Sequence, residues 1–313
     1  MDDSTALIAS EPALAWKLAV GVEGRDPASP AAREAAGRVR RSPQVEDLIR
    51  GCAFQANPYK KWDGRHWVLS LLADLGSLPG DESLRPMLDA TLDTWLHPQH
   101  PRHVQLIAGR ARRCASQESN AAWSALRLGF DDSRIDELIA RLIGWQWPDG
   151  GWNCDKRPQA DSSSFMESIL PLRALALYAR LRGDRAAAGA AERAAEVFLS
   201  RRLFRRRRDG ALMDPHFTRL HYPCYWHYDI LLGLRVMAEA GFLLDPRCAE
   251  ALDLLESRRL PDGGFPAEES YARTGQPQVS GYSPVSWGGV SSLRSNPYVT
   301  ADALTVLRLA GRL

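Results

Sequence analysis

Three Asp-Gly turns, at Asp149-Gly150, Asp209-Gly210 and Asp262-Gly263, divide the second half of the chain into like units. An amphipathic helical pattern precedes each turn (IDELIARLIGW, AERAAEVFLSRRLF, CAEALDLLESRRL). A more apolar one follows after a polar loop (SFMESILPLRALALYARL, YWHYDILLGLRVMAEAG, YVTADALTVLRLAG). HWVLSLLADLG (66–76) and NAAWSALRLG (120–129) share the character of the second helix. Strand-like alternation is almost absent, and Gly or Asp-Pro closes many of the helices. A unit of this kind cannot bury its apolar face alone and must stack on neighbours. The predicted fold is therefore all-α, about five to six hairpins with apolar inner and polar outer helices that form an open solenoid or, as the late loops favour, a closed α/α toroid. The 265–298 connection lacks helical pattern and is too long for a plain solenoid turn, so it is functional or mobile and argues for closure. The expected organisation is one toroid domain over 1–313. Residues 1–30 form a flexible or partly helical extension in which ALAWKLAVGV is a candidate first inner helix.

A formal charge of +2 argues against a general nucleic-acid binder, and the basic run Arg201, Arg202 and Arg205–Arg208 is expected to be a solvated helix end or loop, with an anionic contact such as a phosphate or a membrane surface as the alternative. Five cysteines without CxxC spacing do not suggest a disulfide framework. Residues 1–30 show no signal-peptide pattern and no run is long and apolar enough to span a membrane. The expected location is cytoplasmic, with peripheral membrane contact left open.

Chemistry concentrates in 145–183, where the turn Trp147-Pro148-Asp149-Gly150-Gly151-Trp152 leads through Cys154, Asp155, Lys156, Arg157 and Asp161 to three serines and an apolar helix. Ser164 and Glu167 have the spacing of a capping box. The same helix start, with Lys156 and Arg157 close in sequence, also suits an anion. Asp155 is a candidate general acid if Trp145, Trp147 and Trp152 shield it and raise its pKa. Cys154 is a small buried residue or a participant in the site. A second cluster runs from His221 to Asp229. With a helix starting near 222 at Pro223, Cys224, His227 and Tyr228 would share one face. Trp152, Trp226, Tyr228 and Tyr298 flank inner-helix starts and are candidate cavity-lining aromatics, with Tyr222 beside them. Asp131-Asp132-Ser133 precedes an outer helix and reads as cap chemistry.

WQWPDGGWN (145–153), LPDGGFP (260–266) and the alternation of helices resemble the squalene/terpene cyclase and protein prenyltransferase β-subunit superfamily. Gln146-Trp147-x-Asp149-Gly150-x-Trp152 is similar to the QW motif of squalene-hopene cyclases. The resemblance covers roughly 60–313 and implies an α/α toroid that takes a prenyl-type or similarly apolar substrate, by acid-initiated or diphosphate-dependent carbocation chemistry. It further implies zinc at Asp161 and His227, where prenyltransferases carry ligands. Ser163 stands at their cysteine position, which leaves either no metal or a substitute among Cys154, Cys224, His221 and Glu167. The acidic DxDD motif of class II terpene cyclases is missing. The expected catalytic set is Asp155, Asp161, His227, Glu167, Cys154 and His221. Trp152, Lys156, Arg157, Tyr222, Trp226, Tyr228 and Tyr298 are expected to bind substrate. The alternatives are a zinc-dependent transferase or hydrolase at Asp161/His227, and a non-catalytic lipid- or peptide-binding toroid.

Overall fold

The computed structural model describes residues 3–99, 104–276 and 278–313. Twelve α-helices run in order: α1 Asp3–Ala9, α2 Pro30–Arg40, α3 Pro43–Arg50, α4 Arg65–Leu75, α5 Arg85–Leu96, α6 Ser116–Arg127, α7 Ser133–Trp145, α8 Phe165–Arg182, α9 Arg185–Leu199, α10 Ile230–Ala240, α11 Ala249–Glu256 and α12 Pro297–Leu309. Among the described residues the only strands are β1 Gln105–Ile107 and β2 Arg110–Arg112, an antiparallel pair. The chain is all-α, an α/α toroid.

Burial separates the two layers. In α7 only Ile135, Leu138, Ile139 and Leu142 are buried, one stripe at helical spacing, as an outer helix requires. In α4 nearly every residue is buried, including Arg65 and His66, because neighbours cover it all round. The inner helices contact in sequence, α4 on α6, α6 on α8, α8 on α10 and α10 on α12. The π-helical turn Lys17–Val22 packs on α12. Lys17 then reaches Asp74 of α4, 2.7 Å away, and the ring closes.

The two Pro-Asp-Gly-Gly turns are staples between layers and match in detail. Asp149 accepts from Ser163 Oγ at 2.6 Å, and Asp262 accepts from Ser295 Oγ at 2.7 Å. Trp152 N–H donates to Ser168 Oγ at 3.0 Å, and Phe265 N–H to Thr300 Oγ1 at 2.9 Å. Gly150 and Gly263 take φ of 99° and 80°, which favours glycine. Gly151 and Gly264 lie against Ser168 and Ser295, where a Cβ would collide. The motif that carries the family resemblance is thus a device for seating an inner helix on the preceding outer one. It reports architecture, not chemistry.

Two local expectations change. The helix expected from 222 begins at Ile230, because Asp229 is its N-cap and accepts from Leu232 N–H at 2.7 Å. Residues 222–229 are irregular, so Cys224, His227 and Tyr228 do not share a helical face. Ser164 does precede α8, but its side chain makes no cap bond. Glu167 turns away from a capping box: its carboxylate accepts from Ser116 N–H at 3.1 Å and lies 3.8 Å from Cys154 Sγ. Asp132 caps α7 as its sequence suggests. No helix among the described residues is long and apolar enough to cross a membrane.

Candidate active site

The C-terminal halves of the inner helices surround a cavity of about 350 Å³. Six basic side chains line it (Lys17, Arg127, Arg173, Arg180, Arg235, Arg308) against three acidic ones, Asp74, Glu239 and Asp302. At its floor two cations bridge two carboxylates. Lys17 Nζ lies 2.7 Å from both Asp74 Oδ2 and Asp302 Oδ1. Arg235 reaches Asp74 at 2.5 Å and Asp302 at 2.7 Å. Tyr222 adds a hydroxyl 3.2 Å from Asp74.

These neighbours drive the two carboxylates apart. Burial raises the pKa of Asp74, but Arg235, Lys17 and Arg173 outweigh it and hold the group well below its ordinary value. Burial raises Asp302, the Asp74 charge adds to the rise, and Arg235 and Lys17 do not cancel it. Carboxyl groups separated in this way suit one proton-holding and one ionised role.

The upper wall holds guanidinium groups on aromatic faces. Arg173 lies 3.6 Å from the centroid of Trp123 and also binds Glu239 at 2.5 Å. Arg127 lies 4.4 Å from the centroid of Trp16. Unlike Arg173, Arg127 has no hydrogen-bond or ion-pair partner among the described residues, and burial lowers its pKa. Held on an aromatic face with no protein acceptor on its N–H groups, the Arg127 guanidinium is placed to take an anion from outside.

The residues singled out from sequence lie elsewhere, at or near the end of the ring where the inner helices begin, with Tyr222 reaching the cavity network. Asp155 pairs with Arg157 at 2.5 Å, and this bond lowers its pKa to about 2, opposite to the rise expected of a shielded acid. Lys156, Arg157 and Asp161 are exposed, and Asp161 accepts from Ser162 Oγ at 3.1 Å. Trp152 is in the core, its Nε1 donating to Leu142 O at 2.9 Å, and Tyr228 donates to Leu203 O at 2.7 Å. Tyr298 stacks on Tyr222 with centroids 4.8 Å apart. His227 is sandwiched between Trp226 at 4.1 Å and Tyr271 at 3.4 Å, and burial lowers its pKa to about 3.

Asp161 and His227 belong to neither group of side chains placed to hold a cation among the described residues. One group is His221, Cys224 and Asp229; the other is Cys114, Cys154 and Glu167. In the first, Asp229 already serves as the α10 cap, accepts from His221 N–H at 3.0 Å and pairs with His221 Nδ1 at 3.0 Å. Asp74, Arg127, Arg235, Asp302 and Cys114 were not singled out from sequence. For the four charged residues the only available signal was charge on inner, otherwise apolar helices, where an ionisable side chain must find a partner.

No family model matches the chain, and no curated protein does. Solved structures with a similar course include an unsaturated glucuronyl hydrolase of Bacillus sp. GL1, responsible for the degradation of glycosaminoglycan. It is 17% identical with a TM-score of 0.45, covering 95% of this chain and 84% of that one. A polysaccharide lyase is 11% identical with a TM-score of 0.48 over 98% and 89% of the two chains. A glycosyl hydrolase family 88 protein of Bacteroides vulgatus is 10% identical with a TM-score of 0.47 over 100% and 92%. These are carbohydrate-acting enzymes, and the expected membership of the terpene cyclase and prenyltransferase superfamily is corrected. Nine ionisable side chains line the cavity beside apolar ones that include Trp16, Trp123 and Leu177. The apolar prenyl-type substrate, the carbocation chemistry, the Asp161/His227 zinc enzyme and the lipid- or peptide-binding toroid are all set aside with that membership.

Proposed function

We propose that the chain is an enzyme acting on a carboxylate-bearing carbohydrate in the central cavity. The observation that carries this is Arg127, a half-buried guanidinium that lines the cavity on the face of Trp16 and has no hydrogen-bond or ion-pair partner among the described residues. A carboxylate fits a guanidinium fork through two parallel N–H bonds. The six-to-three excess of basic over acidic side chains favours one anionic group, and the remaining carboxylates suit hydroxyl donors. A uronic acid presents both kinds of group in a volume that this cavity admits. Asp302 is the group to hold a proton for a leaving oxygen. Asp74 is the group to stay ionised, as base or as the charge that steadies a developing cation.

The test is a screen of uronic acids and acidic oligosaccharides, saturated and 4,5-unsaturated, against neutral sugars of equal size. Binding is read by calorimetry and turnover by release of reducing ends. Acidic sugars should bind and neutral ones should not, and turnover should disappear in Asp302→Asn and Asp74→Asn with the helical fold retained. Equal binding of neutral and acidic sugars, or full turnover in both variants, would overturn the assignment.

A further inference from the structure

At the opposite end of the ring, three segments distant in sequence bring two thiols and a carboxylate together. Cys114 follows β2 and precedes α6, Cys154 follows the Trp152 turn, and Glu167 lies in the first turn of α8. Their ligand atoms all lie within 4.8 Å of one another, and Cys154 Sγ is 3.8 Å from Glu167 Oε1. Tetrahedral zinc, with bonds of roughly 2.3 Å to sulfur and 2.0–2.2 Å to oxygen, draws such atoms to about 3.3–3.8 Å. The residues need move by about an ångström at most. All three are half-buried, so an ion can enter and one position can stay open to solvent.

We infer that Cys114, Cys154 and Glu167 form a binding site for a zinc-class divalent cation, with a fourth position left to water or a ligand. Two thiolates and one carboxylate with an open position form a donor set suited to zinc that binds and polarises a water. The second carboxylate oxygen is already oriented, since Glu167 Oε2 accepts Ser116 N–H at 3.1 Å. An outer contact of this kind fixes a metal-ligating carboxylate. It also accounts for Glu167 leaving the capping role that its spacing from Ser164 predicts. Burial raises the Glu167 carboxyl, whereas a hydrogen bond from Cys114 lowers Cys154. A divalent cation would favour the charged form of all three groups.

The site is distinct from the charged cavity and does not rest on the carbohydrate assignment. The test is a zinc titration of the full chain, kept reduced, against a chromophoric chelator, followed by cobalt(II) substitution. About one zinc per chain should bind, and cobalt should give a thiolate-to-metal charge-transfer band. Cys114→Ser and Cys154→Ser should each lose that band and at least tenfold in affinity. Glu167→Gln should weaken binding at least tenfold while keeping the band. Cys224→Ser, in the other cluster, should leave binding unchanged. Each variant is compared by circular dichroism, and the wild-type titration is decisive even if one fails to fold. Absence of stoichiometric binding by the reduced wild type would overturn the inference. So would retention of the band in a Cys114→Ser/Cys154→Ser double variant, or its loss only in Cys224→Ser.

Discussion

Lys17 Nζ lies 2.7 Å from Asp302 Oδ1 although 285 residues separate them, and the same nitrogen lies 2.7 Å from Asp74. One side chain from the first turns of the chain thus joins its first and last major inner helices, α4 and α12. The cavity floor and the closure of the ring are the same set of bonds.

Removing that side chain leaves two buried carboxylates short of a cation. Lys17→Met is expected to cost about 3–5 kcal/mol in urea unfolding, the usual penalty for breaking a buried pair from one side. Arg157→Ala, at an exposed pair, should stay within about 0.5 kcal/mol of wild type.

The staples predict a steric penalty. A Cβ on Gly264 meets Ser295 and one on Gly151 meets Ser168 and Ser163. Gly264→Ala and Gly151→Ala should each lose about 1–3 kcal/mol, as overpacking does. Gly144→Ala, with open space around it, should not. Unchanged unfolding midpoints in the first two variants would contradict the staple account.

Arg127 separates binding from stability. Arg127→Gln removes a half-buried charge that makes no hydrogen bond or ion pair, only the stacking on Trp16, so stability should fall by no more than about 1 kcal/mol. Affinity for an acidic sugar should nevertheless fall by about 1.5–3 kcal/mol, the worth of a hydrogen bond to a charged group. A variant that bound the sugar as tightly as wild type would remove Arg127 from the site.

His66 sets an acid limit. Burial lowers its pKa to about 3. Trp95 Nε1 lies 3.2 Å from its Nδ1 and Asn120 Nδ2 lies 3.1 Å from its Nε2, so both ring nitrogens face donors and a second ring proton finds no acceptor. A proton added at Nδ1 would face the Trp95 N–H. The unfolded chain takes up that proton near pH 6.5 and the folded one does not. The His66 contribution is therefore complete above about pH 6.5 and lost as pH falls toward 3, with a slope approaching 1.4 kcal/mol per pH unit. Equilibrium unfolding between pH 7 and 4 measures it, and His66→Gln should flatten the dependence.

Helical periodicity made the inner and outer layers legible, because α7 and α4 bury a stripe and a full circumference according to their own residues. The Asp-Gly turns were legible for the same reason: a positive φ and a side-chain acceptor are local requirements. The cap at Asp132 followed from its immediate neighbours. Glu167 was noticed, but its local spacing predicted a cap where its actual partners, Ser116 and Cys154, come from other segments. No short spacing joins Cys154 to Cys114, so the sequence does not pair them. Asp74, Arg127 and Asp302 are not legible as a site in the sequence, because a charge on an apolar helix does not reveal what it faces.

By itself, then, the sequence determined the hairpins, their polarity and their turns, which depend on contacts within a few residues. Only the tertiary structure decided where charge and thiols converge. The Lys17–Asp302 bond and the Cys114–Cys154–Glu167 group exist because closing the ring brings together helices far apart along the chain. The pKa values of Asp74 and Asp302 follow from that closure, since burial and the charges of neighbouring helices set them.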